Sequence, residues 1–167
     1  MMTPRHTQNG LATVEFAIVG ATFFLVLFGV LEFGRALFVW NTLNEVTRRG
    51  ARVATVCPVN HSAIKHVAVF DAPGGTGESP FLYGLTMDNV TVEYLDTGAN
   101  VIGDPQTNFG NIRYVRVRVT NYQHTLLVPF LGADATVTTP DFAATLPRES
   151  LGIPREGETP FCFGSAG

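Results

Sequence analysis
The sequence predicts an α+β protein: one long N-terminal helix, membrane-spanning in its first half, packed on a small antiparallel β-sheet domain. Three observations carry this reading. Phe16 to Leu31 (FAIVGATFFLVLFGVL) holds no charge, and with Leu11 to Val14 it reaches the roughly 20 residues needed to cross a bilayer. No proline interrupts the chain from Leu11 to Cys57, and Pro58 then stops it. Further on, Asn89 to Leu95 and Ile112 to Thr120 alternate apolar and polar residues as half-buried strands do.

The first ten residues, MMTPRHTQNG, are polar and carry Arg5, as a cytoplasmic leader in front of a hydrophobic segment does. Glu32-Phe33-Gly34-Arg35 follows the apolar run, bulky and charged where conventional signal peptidase wants small residues. The better cut lies before the run. Residues 1–10 are therefore expected to be a leader, 11–57 the helix, with about 11–33 in the membrane, and 58–167 a β-rich domain outside it with a flexible C-terminal tail.

The helix is expected to run about 45 residues and about 68 Å. Its first half is apolar all round, which a soluble domain of this size could hardly cover. Past Leu31 the pattern turns amphipathic. Val39, Leu43, Val46, Gly50 and Val53 recur at spacings of three and four, while Asn41, Asn44, Glu45, Arg48 and Arg52 populate the other faces. That stripe asks for a sheet to lie against. Gly20, Gly29 and Gly34 weaken an isolated helix but let neighbouring helices approach in a membrane. Glu32 can pair with Arg35 at i,i+3.

In the distal domain, Val115, Val117 and Val119 share one strand face, and Tyr114, Arg116 and Arg118 the other. Val90, Val92 and Tyr94 form the matching set on the earlier strand, where Glu93 can face Arg116 or Arg118 across a pairing. Ala135 to Thr139 is expected to be a third strand and Ser62 to Phe70 a short helix or strand. DAPGGTGESP, from Asp71 to Pro80, reads as a flexible loop. Asp96 to Asn111 reads as a long turn, and the stretch from Pro147 as coil unless Cys162 tethers it. Cys57 and Cys162 are either bonded, which would mark an oxidising compartment, or two free buried thiols.

Much chemistry is missing. His6, His61, His66 and His124 are expected to be surface histidines, because no carboxylate or cysteine completes a metal-ligand spacing around them. Gly74-Gly75-Thr76-Gly77 lacks the lysine and the strand-to-helix setting of a phosphate loop. Asp71, Glu78 and Asp88 offer no acid/base pairing, and Ser79 has no nucleophile-elbow context. The net charge of -3 and the scattered arginines argue against nucleic acid. No catalytic residue, cofactor or metal is expected.

The one cluster that asks for a role is Gly10-Leu11-Ala12-Thr13-Val14-Glu15-Phe16. A carboxylate at the centre of a membrane helix costs roughly 2.5 to 3.5 kcal/mol, and less near the interface, so Glu15 needs a partner, a job or an escape to the headgroups. Glycine followed five residues later by glutamate, at the mouth of an apolar run, resembles the cleavage site of type IV prepilins. Phe16 after that glutamate resembles the tight-adherence subclass. The longer string NGLATVEFAIV to LFGVLEFGRALFVWNTLNEVTRRGARVA is similar to the TadE-like pseudopilins, over about the first 56 residues.

The resemblance implies a pilin-like fold and a minor pseudopilin of a tight-adherence (type IVc) pilus and secretion system. A prepilin peptidase would cut between Gly10 and Leu11, and Glu15 with Phe16 would serve assembly. Cleavage would leave an α-amino group on Leu11, one helical turn from Glu15, able to pair with it within a chain or between neighbours. The implied partners are the major pilin and other pseudopilins through the N-terminal helix, the peptidase, the inner-membrane assembly platform and membrane lipid. The implied location is the inner membrane, N-terminus cytoplasmic and domain periplasmic. The arginines pull the other way, since Arg35, Arg48, Arg49 and Arg52 after the span outnumber Arg5 before it. The alternative function is a single-pass anchored binding domain that keeps its N-terminus and never polymerises.

Overall fold
The computed structural model describes residues 9–127, 135–154, 156 and 162. The fold is α+β, as the patterning predicts. Helix α1 runs Asn9–Val56, 48 residues, or about 72 Å at 1.5 Å per residue. A short helix α2, Ser62–Ala68, follows it. The strands are β1 (Val90–Leu95), β2 (Tyr114–Val119), β3 (Gln123–Thr125), β4 (Thr136–Thr138) and β5 (Phe142–Pro147). An antiparallel sheet has the order β1-β2-β5, and β3 pairs with β4 in a separate two-stranded sheet.

The upper half of α1 lies on the main sheet. Its apolar stripe faces inward at every position: Val39, Leu43, Val46 and Val53 are buried, and so is Gly50. Val115, Val117 and Val119 of β2 meet that stripe, and Val90 and Tyr94 of β1 belong to the same core. At Gly50 the helix runs close against both α2 and the sheet. A Cβ there would lie 2.9 Å from the Ala68 Cβ and 3.0 Å from Val117 Cγ1, so any larger residue would push α1 off both neighbours. Asn41, Asn44, Glu45, Arg48 and Arg52 are exposed, as the helical period requires.

The outer face of the sheet carries its charges. Glu93 stands opposite Arg116 in the β1–β2 register and pairs with it, with Arg118 3.8 Å away. Arg118 also reaches Asp141 at 2.8 Å. On the inner side, the Tyr94 hydroxyl accepts from the Asn60 N–H at 3.0 Å, and burial pushes its pKa up.

The end of α1 is closed from far along the chain. Pro58 stops the helix, whose last carbonyls have no partner of their own. The Glu149 and Leu151 N–H groups donate to Thr55 O, the Gly152 N–H donates to Val56 O at 2.8 Å, and the Ser150 hydroxyl also donates to Val56 O. Cys57, one residue past the helix, is disulfide-bonded to Cys162. The stretch after Pro147 is thus tied to the helix end at residues 149–152 and again at Cys162. The expected flexibility of the remaining tail falls on residues outside the described ones, as does the leader from Met1 to Gln8.

Four expectations need correction. The third strand of the main sheet is β5. Its sequence, FAATLP, has too few large apolar residues to show a period, and its proline ends an edge strand, where a missing N–H is tolerated. Ala135 to Thr139 does contain a strand, β4, but it pairs with the equally short β3. His66 and His124 are not surface residues but buried, at 7% and 6% exposure. Each is held by a carboxylate, His66 by Asp71 at 3.0 Å and His124 by Glu32 at 3.2 Å. The loop from Asp71 is tied down, because the Asp71 carboxylate accepts from the Gly77 and Ala72 N–H groups as well as bonding His66.

Candidate assembly surface
The lower half of α1 makes a different kind of surface. The Gly10–Leu11 bond lies in the helix's first turn. Leu11 and Glu15 are four residues apart and share a face, and both are exposed, as is Phe16 at 80%. No hydrogen bond or ion pair of a described residue reaches the Glu15 carboxylate. The helix is long and apolar enough to cross a membrane, and none of its most apolar window is buried within the fold. A Cβ at Gly10, Gly20, Gly29 or Gly34 would meet nothing within 4 Å. No close contact within the fold explains these glycines, in contrast to Gly50.

The surface ends at Glu32, the first charged residue after Glu15. Arg35 binds both of its carboxylate oxygens at 3.2 Å, as the i,i+3 spacing predicts. Two further partners come from the distal domain: His124 Nε2, 3.2 Å from Oε1, and the Leu127 N–H, which donates to Oε2 at 3.1 Å. Arg35 in turn donates to Thr125 O at 3.4 Å. The sequence shows half of this latch. The other half spans more than ninety residues, a separation that no helical or strand period can report.

No cluster of three or more metal-binding side chains occurs among the described residues. The His66–Asp71 pair has the composition of a catalytic dyad, yet its bonds hold a turn. Asp71 Oδ1 accepts from Ala72, and Oδ2 from Gly77 and His66. These hydrogen bonds, the one from Gly77 foremost, hold the Asp71 carboxyl below its ordinary pKa.

A long exposed apolar helix is thus bound at one end to a small disulfide-closed α+β domain, and among the described residues it is the one helix long and apolar enough to anchor the chain in a membrane. Residues 10–52 match the model of a family described as TadE-like protein. That segment takes in the Gly10–Phe16 cluster, the whole apolar run and the packed helix as far as Arg52. No curated protein and no solved structure matches the chain.

Proposed function
We propose that this chain is a minor pseudopilin of a tight-adherence (type IVc) pilus or secretion system. A prepilin peptidase cuts it after Gly10, and it acts in pilus initiation or assembly for surface adhesion. It is a structural part and not an enzyme. Its partners through α1 are the major pilin and other pseudopilins, and in the inner membrane the peptidase, the assembly platform and lipid. The leader is cytoplasmic and residues 58–167 are periplasmic.

The supporting observation is one coincidence. The Gly10–Leu11 bond, Glu15 and Phe16 lie together at the exposed start of a membrane-length helix, inside the segment that matches the TadE-like family. An exposed carboxylate costs little at the membrane edge but several kcal/mol when buried unpaired among other helices. The new α-amino group of Leu11, a turn away on the same or a neighbouring chain, supplies the missing charge. The arginines that oppose this topology by count bear on it weakly, since Arg48, Arg49 and Arg52 flank the stripe packed on the sheet, far above the span.

The test is the intact mass and N-terminal sequence of the protein from membranes of cells carrying its native peptidase. The chain is expected to start at Leu11, and Gly10→Ala to leave it uncut. Glu15→Ala should be cut and inserted normally but fail in assembly. A native chain starting at Met1 or Met2 would overturn the reading, and normal fibres from Glu15→Ala would refute the assembly role.

A further inference from the structure
We propose that the underside of the domain is itself a membrane-contacting surface. A rim of apolar and aromatic side chains around α1, formed by Leu127, Val137 and Tyr83, seats in the headgroup layer of the bilayer that the helix spans. The proposal rests on the reading of α1 as a membrane span.

The first support is position. The uncharged run ends at Leu31, and Glu32, the next residue, is already bound by His124 and by the Leu127 backbone. The β3–β4 sheet is therefore pinned to the helix at the residue where charge first reappears. No length of bare polar helix separates domain from lipid.

The second support is chemistry. Tyr83 is 95% exposed, Leu127 69% and Val137 51%. Single exposed apolar residues need no explanation, but a contiguous group does. Phe81 and Tyr83 share a cleft of about 220 Å³ with Phe38 and Arg35. Val137 shares an apolar groove of about 210 Å³ with Ala36 and Trp40. The Tyr122 hydroxyl donates to Tyr83 O at 3.2 Å and holds the Tyr83 turn beside that cleft.

The third support is height. Phe33, Leu37 and Phe38 stay exposed beyond Glu32, so the helix faces between the rim residues continue the apolar surface of the span. From Leu31 to Trp40 the helix climbs about 14 Å, and the interfacial layer on each side of the hydrocarbon is roughly 5 to 8 Å thick. Leu127, at the level of Glu32, then lies within that layer. Arg35, about 6 Å above Leu31, marks its outer edge, where the cleft that Tyr83 lines opens and where amphipathic rings are favoured, and Trp40 stands above it. A rim continuous with a lipid-covered helix meets the same lipid before it meets anything else.

The test uses the full chain with its Cys57–Cys162 bond intact and one added cysteine, at Val19, Tyr83, Leu127 or Thr97. Each is labelled with a polarity-sensitive nitrobenzoxadiazole dye and reconstituted in phosphatidylcholine vesicles containing some phosphatidylglycerol. Tyr83→Cys and Leu127→Cys alter exposed side chains, and Thr97, in the exposed turn after β1, marks the far end of the domain. Phosphatidylcholine brominated near the top of its acyl chains is expected to quench the Tyr83 and Leu127 labels about twofold more than the Thr97 label, and Val19 to be quenched by bromine placed deeper. If Val19 is quenched while Tyr83 and Leu127 behave like Thr97, the rim faces water or protein and the proposal falls. If Val19 is also unquenched, the span reading falls with it.

Discussion
The two halves of α1 are one continuous helix built for two different surroundings. Between Leu11 and Leu31 nearly every face is apolar and exposed, and among the described residues the distal domain first hydrogen-bonds the helix at Glu32. Between Val39 and Val56 a single stripe is apolar, and that stripe is buried. The difference separates two kinds of constraint. Residues of the upper half are held by the domain packed on them, whereas no described residue of that domain hydrogen-bonds the lower half below Glu32, whose exposed apolar side chains suit lipid. A substitution in one half should therefore be felt in domain stability, and one in the other only in membrane behaviour and assembly.

The largest break in that comparison should come from the disulfide. Cys57 and Cys162 are 105 residues apart in sequence, and closing a loop of about 100 residues stabilises by roughly 4.7 kcal/mol on chain-entropy grounds. Replacing both with alanine should cost about 4 kcal/mol of domain stability in detergent, seen as a lower denaturation midpoint. Trp40 is a natural probe, since its ring packs edge-on against Phe142 at 4.9 Å. The lower half should stay helical after the domain has unfolded, so part of the far-ultraviolet helix signal should survive the Trp40 transition. Loss of both signals in one transition would show that the halves are coupled.

A matched pair of leucines sharpens the contrast. Leu43 is fully buried, and Leu25 is 62% exposed on the lower half. Leu43→Ala should cost about 3 kcal/mol, within the usual range for a core leucine that leaves a cavity. Leu25→Ala should leave the domain unfolding transition unchanged to within about 0.5 kcal/mol. Equal effects would mean that the lower half has a protein partner inside the fold.

The same divide explains what could be read from the sequence. The stripe Val39-Leu43-Val46-Gly50-Val53 was legible because helical periodicity is local, and Glu93 opposite Arg116 because strand alternation sets the faces. The cluster at Gly10 to Phe16 was legible as a motif, although nothing inside this chain requires it. The Glu32–His124 latch and the pairing of β3 with β4 were not legible. They join short or distant segments whose partners are set only once the domain has closed. His66 and His124 looked like surface residues for the same reason, since each is satisfied by a carboxylate that no regular period points to. FAATLP hid β5 because two alanines and a threonine fit a strand, a helix or a loop almost equally well.

A smaller effect is expected from the charges on the outer face of the sheet. Arg116 and Glu93 are about a quarter and a sixth exposed, and such a cross-strand pair adds roughly 0.2 to 1 kcal/mol. Arg116→Met should lower the denaturation midpoint slightly at low salt, and the difference should shrink as salt is added. A loss several times larger would mean that the guanidinium supports the sheet in some way other than by pairing with Glu93.

The smallest effect should appear only in acid. The Gly77 N–H above all, then the His66 ring and the Ala72 N–H, hold the Asp71 carboxyl below its ordinary value of 3.8. A carboxyl depressed in the fold regains its ordinary affinity for protons on unfolding. Its contribution is therefore complete above the ordinary value and is lost as pH falls through the folded one. Asp71→Asn keeps an oxygen acceptor for the Gly77 N–H and removes the titration. Between about pH 5 and about pH 2 its melting temperature should fall less than that of the native chain, with the curves converging at the acid end. Asp96 and Asp104, depressed by hydrogen bonds in their own turns, leave a residual acid dependence in both proteins. The lower half of α1 sharpens the comparison once more. Glu15 takes no part in the folded domain, so Glu15→Gln should leave this acid profile where it was, and a shift would place that carboxylate in contact with the domain after all.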